Sequence, residues 1–211
     1  MRRALAAASI ALAAGCSRPT EKAAAPTATS APAPATPASA APDTTATIVG
    51  KVRASGLAVV ALEPNSARAF PPQPDKPVMD QVGLTFGPEV LLVRTGEPVE
   101  FRNNDDTLHN VNVKHDETRE QAFNVAIPTG ANFEYTFTRE GFYRVACDIH
   151  PAMAASIYSA YTPYSAVADS DGRFTFSDVP AGAWTITVFA GGRRLQKDVD
   201  VKGGTTDVTV E

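Results

Sequence analysis

The chain has 211 residues and a formal net charge of −4 at pH 7, and losing residues 1–15 with their two arginines would leave about −6. No stretch concentrates Lys and Arg, so the chain lacks the basic surface that nucleic-acid binding requires. Nucleic acid is therefore excluded as a partner.

The first 15 residues have the features of an export signal. Two arginines precede an apolar run over residues 4–14, which is too short to cross a bilayer as a helix. Residues 12–16 read LAAGC, a pattern that resembles the lipobox of bacterial lipoproteins, whose cysteine carries the lipid. The resemblance implies a signal peptide over residues 1–15, a lipid anchor on Cys16, and a location in the bacterial periplasm on the inner or outer membrane. Ordinary cleavage that leaves Cys16 as a free thiol is the alternative.

Residues 16–46 form the next segment and consist mostly of Ala, Pro, Thr and Ser. Such a composition cannot bury enough apolar area to offset the entropy of folding, so it predicts a disordered linker. At roughly 3.1 Å per residue in polyproline geometry, the segment could reach about 90 Å. We interpret it as a tether that holds a folded part away from a bilayer.

The rest of the sequence has the pattern of an all-β protein. Apolar and polar residues alternate over short stretches rich in β-branched and aromatic residues, and turn residues recur at intervals of about eight to twelve positions. No stretch has a helical period. The predicted strands are 48–52, 57–62, 90–94, 99–103, 133–137 and 142–147, with a rigid proline-rich connector over 71–77.

Residues 162–211 carry the pattern of a small β-sandwich. Residues 169–172 (DSDG) predict a hairpin turn rather than a calcium loop, because no Glu follows at the spacing of an EF-hand. Phe174 and Phe176 share one strand face, and Trp184 is predicted to lie in the core. The segment resembles the carboxypeptidase-regulatory-like, transthyretin-like β-sandwich, and residues 47–64 resemble the opening strands of that fold. The resemblance implies a discontinuous domain, 47–64 plus 162–211, interrupted by a middle domain over 77–161.

Four side chains that bind soft metals occur in the middle segment. Cys147, His150 and Met153 form a Cys-x-x-His-x-x-Met loop, and His109 lies further upstream. A thiolate, two imidazoles and a thioether suit copper in both oxidation states, whereas zinc, the nearest alternative, has little use for a thioether. If Cys16 is lipidated, Cys147 has no disulfide partner, and a bound metal would protect its thiol in an oxidising compartment.

Residues 79–161 resemble a cupredoxin of the amicyanin and plastocyanin type, a Greek-key β-sandwich with one type 1 copper. The similarity includes the spacing of the ligand loop and residues 86–88, 94–101 and 103–105. It implies Cys147 as the copper thiolate, His109 and His150 as equatorial ligands, and Met153 as the axial ligand. In such proteins the residue after the first His braces the ligand loop, which implies that role for Asn110.

The resemblance also implies a function. The loop His of cupredoxins faces solvent and passes the electron, which assigns an electron port to His150 with Pro151. Three His in all leave too few ligands for a second metal, so we expect an electron carrier without an independent catalytic site, acting with an unidentified redox protein. Proteins with this arrangement are often labelled methylamine-utilisation-like, but the label does not establish the partner.

Two other interpretations remain open at the level of sequence. A copper carrier or buffer would favour a Met-rich, exchangeable site, and the chain has only 3 Met including Met1. A surface interaction module with a structural copper is the other alternative. The remaining histidine, His115, stands beside Asp116 and Glu117 and is predicted to lie in a solvated loop rather than in an auxiliary metal site.

Overall fold

The computed structural model describes residues 44–53 and 56–211. The predicted signal peptide, Cys16 and nearly all of the predicted linker lie outside these residues. The described part is all-β, as predicted, and contains no helix long and apolar enough to cross a membrane. Its strands are β1 (Thr45–Val52), β2 (Ala58–Pro64), β3 (Val78–Val82), β4 (Thr85–Gly87), β5 (Val90–Arg94), β6 (Pro98–Asn103), β7 (His109–His115), β8 (Gln121–Ile127), β9 (Asn132–Thr136), β10 (Gly141–Ala146), β11 (Ala154–Ala160), β12 (Ser165–Val167), β13 (Arg173–Pro180), β14 (Gly182–Ala190), β15 (Arg193–Val201) and β16 (Gly204–Val210).

The consecutive strands β3 to β11 form a two-sheet sandwich. One sheet has the order β5-β11-β10-β7-β8, and the other has the order β4-β3-β6-β9. Alternate residues of each strand point between the sheets, which accounts for the period of two in the sequence. Phe101, Phe137 and Ile157 are fully buried in the resulting core. This sandwich accounts for the middle segment of the chain.

The strands on either side of that segment form a second sandwich together. β1 pairs with β13 and β16, while β2 pairs with β12 and β14. Ile48, Leu62 and Trp184 lie fully buried in one shared core. No ladder of hydrogen bonds between described strands joins these elements to β3–β11. The ability of each sandwich to fold alone as a domain stays a prediction.

The first strand begins earlier than predicted. The sequence pattern assigned residues up to 46 to the linker, but β1 starts at Thr45 and Ala46 is buried. Ala46 pairs with Val179 on one side and Gly204 on the other. A single Ala between two Thr has no strand pattern of its own, so these cross-strand neighbours decide where the strand begins.

The proline-rich connector between β2 and β3 lies against the protein. The ring of Phe70 packs edge-on against Tyr161 and Tyr164, with centroid distances of 5.9 and 6.0 Å. The backbone N–H of Gln73 donates to Oε2 of Glu97 at 2.8 Å. These contacts reach both sandwiches, and the rigidity of the connector stays a prediction.

Candidate metal centre

Two neighbouring strands bring the distant donors to the same end of one sheet. β7 and β10 are antiparallel, and Ala146 stands opposite Asn112 in their register. Because His109 begins β7 and Cys147 directly follows β10, both side chains emerge at that end. Cys147 continues the inward row of Tyr143 and Val145 and is buried, as the predicted strand parity requires.

The turn between β10 and β11 supplies the other two donors. It is closed by a hydrogen bond from the backbone N–H of Met153 to the carbonyl of His150 at 2.9 Å. The N–H of Cys147 donates to the carbonyl of Met153 at 3.3 Å, and the N–H of His150 donates to Sγ of Cys147 at 3.4 Å. These local bonds fold seven residues into a compact loop at the sheet end.

The donor atoms of His109, Cys147 and His150 form a small triangle. The two Nδ1 atoms lie 2.9 Å apart, and each lies 3.9 Å from Sγ of Cys147. A point equidistant from all three atoms is about 2.1 Å from each, which falls within the range of metal–nitrogen and metal–sulfur bonds in proteins. Two imidazoles, a thiolate and a nearby thioether are the ligand types of a blue-copper site, so the residues fit copper.

Burial differs among the four side chains. His109, Cys147 and Met153 are almost completely buried, whereas His150 is partly exposed. Met153 belongs to the same core cluster as Cys147. Of the four described donor residues, His150 alone is therefore close to solvent.

Asn110 ties the ligand loop to β7. Its Oδ1 accepts hydrogen bonds from the backbone N–H of Asp148 at 2.6 Å and of Ile149 at 3.4 Å, and it lies 3.3 Å from Sγ of Cys147. These contacts hold Cys147 and the two residues after it against β7. The predicted bracing position of Asn110 thus lies where it can act on the loop.

Asp148 is part of this bracing and was missed by the sequence interpretation. Its carboxylate accepts amide hydrogens from Asn110 at 3.0 Å, from Asn112 at 2.9 and 3.1 Å, and from Asn124 at 2.9 Å. The Asn112 and Asn124 amides, followed by that of Asn110, hold the pKa of Asp148 below its ordinary value. The sequence does contain a signal, because Asn110 and Asn112 occupy alternate positions of β7 and so predict a polar row on one face of that strand.

The sequence interpretation also did not identify Asp105 as a residue that contacts the candidate metal centre. Its Oδ2 accepts a hydrogen bond from Nε2 of His109 at 3.0 Å and another from the backbone N–H of Leu84 at 2.8 Å. The Leu84 N–H, and then His109, lower the pKa of Asp105 to about 2. An ionised acceptor at Nε2 keeps the proton there and leaves the Nδ1 lone pair of His109 free to bind a metal.

His115 does not lie in a solvated loop, so that prediction was wrong. It ends β7, is buried, and packs edge-on against Tyr143 with centroids 4.9 Å apart. Its Nδ1 accepts from the N–H of Thr118 at 3.2 Å, and its Nε2 donates to the carbonyl of Glu140 at 3.2 Å. Both ring nitrogens are satisfied by protein groups, which gives this histidine a structural role.

Comparisons with known proteins agree with the geometry. A β-sandwich that gathers two imidazoles, a thiolate and a thioether at one end defines the class of copper-binding β proteins. The family model for copper binding proteins of the plastocyanin/azurin family matches residues 76–158. Plastocyanin A/B of Petroselinum crispum is 32% identical over 78 residues, covering 34% of this chain and 80% of that protein. The chain belongs to the plastocyanin/azurin family of copper binding proteins, and one type 1 copper is its cofactor.

Part of this chain is also similar to solved structures. A reduced amicyanin variant is 21% identical and has a TM-score of 0.38, with 42% of this chain and 85% of that chain covered. A purple cupredoxin from Nitrosopumilus maritimus is 23% identical with a TM-score of 0.36, covering 40% of this chain and 100% of that chain. A copper-containing nitrite reductase from Thermus scotoductus is 29% identical with a TM-score of 0.38, covering 46% and 25% respectively.

Proposed function

We propose that this chain carries single electrons through a copper ion held by His109, Cys147, His150 and Met153. The observation that carries the proposal is the triangle of His109, Cys147 and His150 donor atoms, which already has the size of a metal site. Bound copper supplies the change between the Cu(I) and Cu(II) states. The side chains supply ligands that suit both states, so the surroundings need little rearrangement when the electron moves.

The bracing residues support electron transfer rather than metal exchange. Asn110 and Asp148 hold the ligand loop against β7, and Asp105 orients His109. A carrier or buffer of copper needs donors that the delivering or receiving molecule can reach. Here the thiol, one imidazole and the thioether are almost completely buried, which favours a copper ion that stays in place.

The partly exposed edge of the site is the proposed electron port. His150 is the one ligand that reaches towards solvent, and Pro151 beside it is exposed. Leu108 and Ile149, each next to a proposed ligand in the chain, are 47% exposed. An apolar rim around an exposed imidazole suits a redox protein partner that must approach closely and leave again.

The proposed location follows from the N-terminal sequence. Export through the signal peptide and a lipid on Cys16 would tether the copper domain to a bacterial membrane on its periplasmic side, inner or outer. The predicted linker would let the domain reach a redox protein at some distance from the bilayer. Digestion of membrane fractions and mass spectrometry of the N-terminal peptide test this: a mature chain that begins without a lipidated Cys16 contradicts the anchor.

Copper reconstitution tests the site. After Cu(II) is added to the full chain, we expect an intense copper–thiolate absorption band and the narrow copper hyperfine splitting of a type 1 centre in electron paramagnetic resonance. Cys147→Ser is expected to abolish the band, whereas the matched control Cys16→Ser keeps it. An unmutated chain without the band contradicts the proposed site. A band without a reversible wave in protein-film voltammetry contradicts electron carriage and favours a structural copper.

A further inference from the structure

A groove lies at the junction of the two sandwiches, at the end of β10 opposite the metal centre. Its volume is about 540 Å³, within the range of small-molecule sites. Gly141, the first residue of β10, lines the groove, while Cys147 follows the last residue of the same strand. Strand geometry places the two sites roughly 20 Å apart, so a ligand in the groove does not touch the copper ligands.

Three aromatic side chains form the apolar floor of the groove, and both sandwiches contribute to it. Phe142 and Tyr158 come from paired positions of β10 and β11, and Phe189 comes from β14. Their ring centroids lie 4.8, 5.1 and 5.3 Å from one another. Ring faces of this kind accept both hydrocarbon groups and organic cations.

Tyr158 presents a polar group in this floor. The residue is 4% exposed, yet its hydroxyl makes no hydrogen bond to any residue that the structure describes. The hydroxyl is also not sealed off from solvent, because the ring lines the groove. Burial is the main cause that raises the pKa of Tyr158, followed by the charges of Glu63 and Glu140. The phenol therefore stays neutral and offers an unused hydrogen-bonding group beside two carboxylates.

Carboxylates outnumber the cations on the rim. Glu63, Glu117 and Glu140 line the groove without an ion pair to any described residue, while Asp116 is paired with Arg119 and Arg144. The two guanidinium groups on the rim belong to Arg193 and Arg194. Because Asp116 is already paired, the three glutamates and two arginines leave the rim with one excess negative charge. A ligand with one positive charge would neutralise this charge.

We propose that the groove binds a small organic amine, with its ammonium group between Glu63 and Glu140. The hydroxyl of Tyr158 accepts a hydrogen bond from that ammonium, and the hydrocarbon part lies on Phe142, since the guanidinium of Arg194 already lies over the ring of Phe189. This site is separate from the copper centre and does not depend on the electron-carrier function. Its test therefore succeeds or fails independently of copper spectroscopy.

Calorimetric titration of the copper-loaded full chain with 2-phenylethylammonium tests the proposal. We expect saturable binding of this probe, and weaker binding of the neutral 2-phenylethanol and of the anion 3-phenylpropionate. Amide NMR signals of Gly141, Gly191 and Gly192 are expected to shift with the same saturation curve, because these glycines line the groove. No saturable binding, or equal affinity for the three probes, overturns the proposal.

Three substitutions separate the contributions of the groove. Glu63→Gln and Glu140→Gln are each expected to weaken binding about tenfold, and Tyr158→Phe about threefold, as the loss of charged and neutral hydrogen bonds implies. Glu134→Gln is the matched control, because Glu134 is an exposed carboxylate on β9 outside the groove. An unchanged circular dichroism spectrum and urea unfolding midpoint show that each variant is folded. Unchanged affinity in all three groove variants overturns the proposal.

Discussion

Nε2 of His109 donates a hydrogen bond to Oδ2 of Asp105 at 3.0 Å, and this contact determines which nitrogen of the buried imidazole faces the other donors. With the proton held at Nε2, Nδ1 presents its lone pair 2.9 Å from Nδ1 of His150 and 3.9 Å from Sγ of Cys147. The orientation of a histidine of the candidate metal centre is thus provided by a carboxylate four positions earlier in the chain.

Asp105→Ala is expected to lower copper affinity by about 10- to 100-fold, because the imidazole of His109 loses the group that orients it. Competition with a copper chelator of known affinity measures the change. The control is Asp106→Ala, since Asp106 is the exposed neighbour and contacts no proposed ligand. Equal affinities for the two variants would contradict the role of Asp105.

The carboxylate of Asp148 is expected to make stability depend on pH. Its folded pKa lies below the ordinary value of 3.8 because Asn112, Asn124 and Asn110 donate to the ionised form. A lowered folded pKa contributes stability above the ordinary value, and this contribution is lost as the pH falls through the folded pKa.

The Asp148→Asn variant should therefore be less stable than the unmutated protein at neutral pH, and the difference should disappear as the pH falls below 3.8. Urea denaturation of the metal-free protein at a series of pH values measures this. Asp200→Asn, which replaces an exposed carboxylate of β15, serves as the control. A difference in the free energy of unfolding between Asp148→Asn and the unmutated protein that is the same at all pH values would contradict this prediction.

Met153→Leu separates the proposed role of Met153 as axial ligand from its packing in the core. Leu has nearly the same volume, so the expected loss of stability is below about 1.5 kcal/mol. The copper–thiolate band should persist, while the reduction potential rises because a donor to Cu(II) is lost. Met79→Leu is the control, since Met79 is fully buried in the same core cluster. Identical potentials in both variants would show that Met153 is not a ligand.

Gly50→Ala tests the packing of the second sandwich. A Cβ atom at Gly50 would lie 1.9 Å from the ring of Phe174, which cannot move without disturbing the core. We expect a loss of about 1–3 kcal/mol or more in thermal or urea unfolding. Gly87→Ala should be tolerated, because nothing lies within 4 Å of the added atom. Similar stability of the two variants would contradict this packing.

Expression of residues 77–161 alone tests whether the sandwich of β3 to β11 folds independently as a domain. All sheet partners of β3 to β11 lie within this segment, so it should fold and give the copper–thiolate band. It would also expose Tyr158 and Ala160, which pack on Val59 and Ala61 in the full chain, and so should be less soluble. Unfolded product would count against an inserted domain.

The ligand loop could be predicted from sequence because its chemistry is local. Cys147, His150 and Met153 lie within seven residues, and a turn between two strands must bring them together. Strand parity likewise predicted the buried row that ends at Cys147, since alternation in the sequence directly reflects the two faces of a strand. His109 was assigned only through resemblance to a family, as no spacing rule links it to the loop.

Tertiary structure decided the features that depend on distant neighbours. Ala46 joins a strand because Val179 and Gly204 flank it. His115 is buried because it contacts Tyr143 of the paired strand β10 and the carbonyl of Glu140, which directly precedes that strand. The three amides around Asp148 and the groove between the sandwiches arise in the same way. By itself the sequence determined the all-β pattern and the three donors of the Cys147–Met153 loop, which follow from residue type and short spacing. Which polar groups surround those donors depends on strand register, and register is set by contacts across the whole fold.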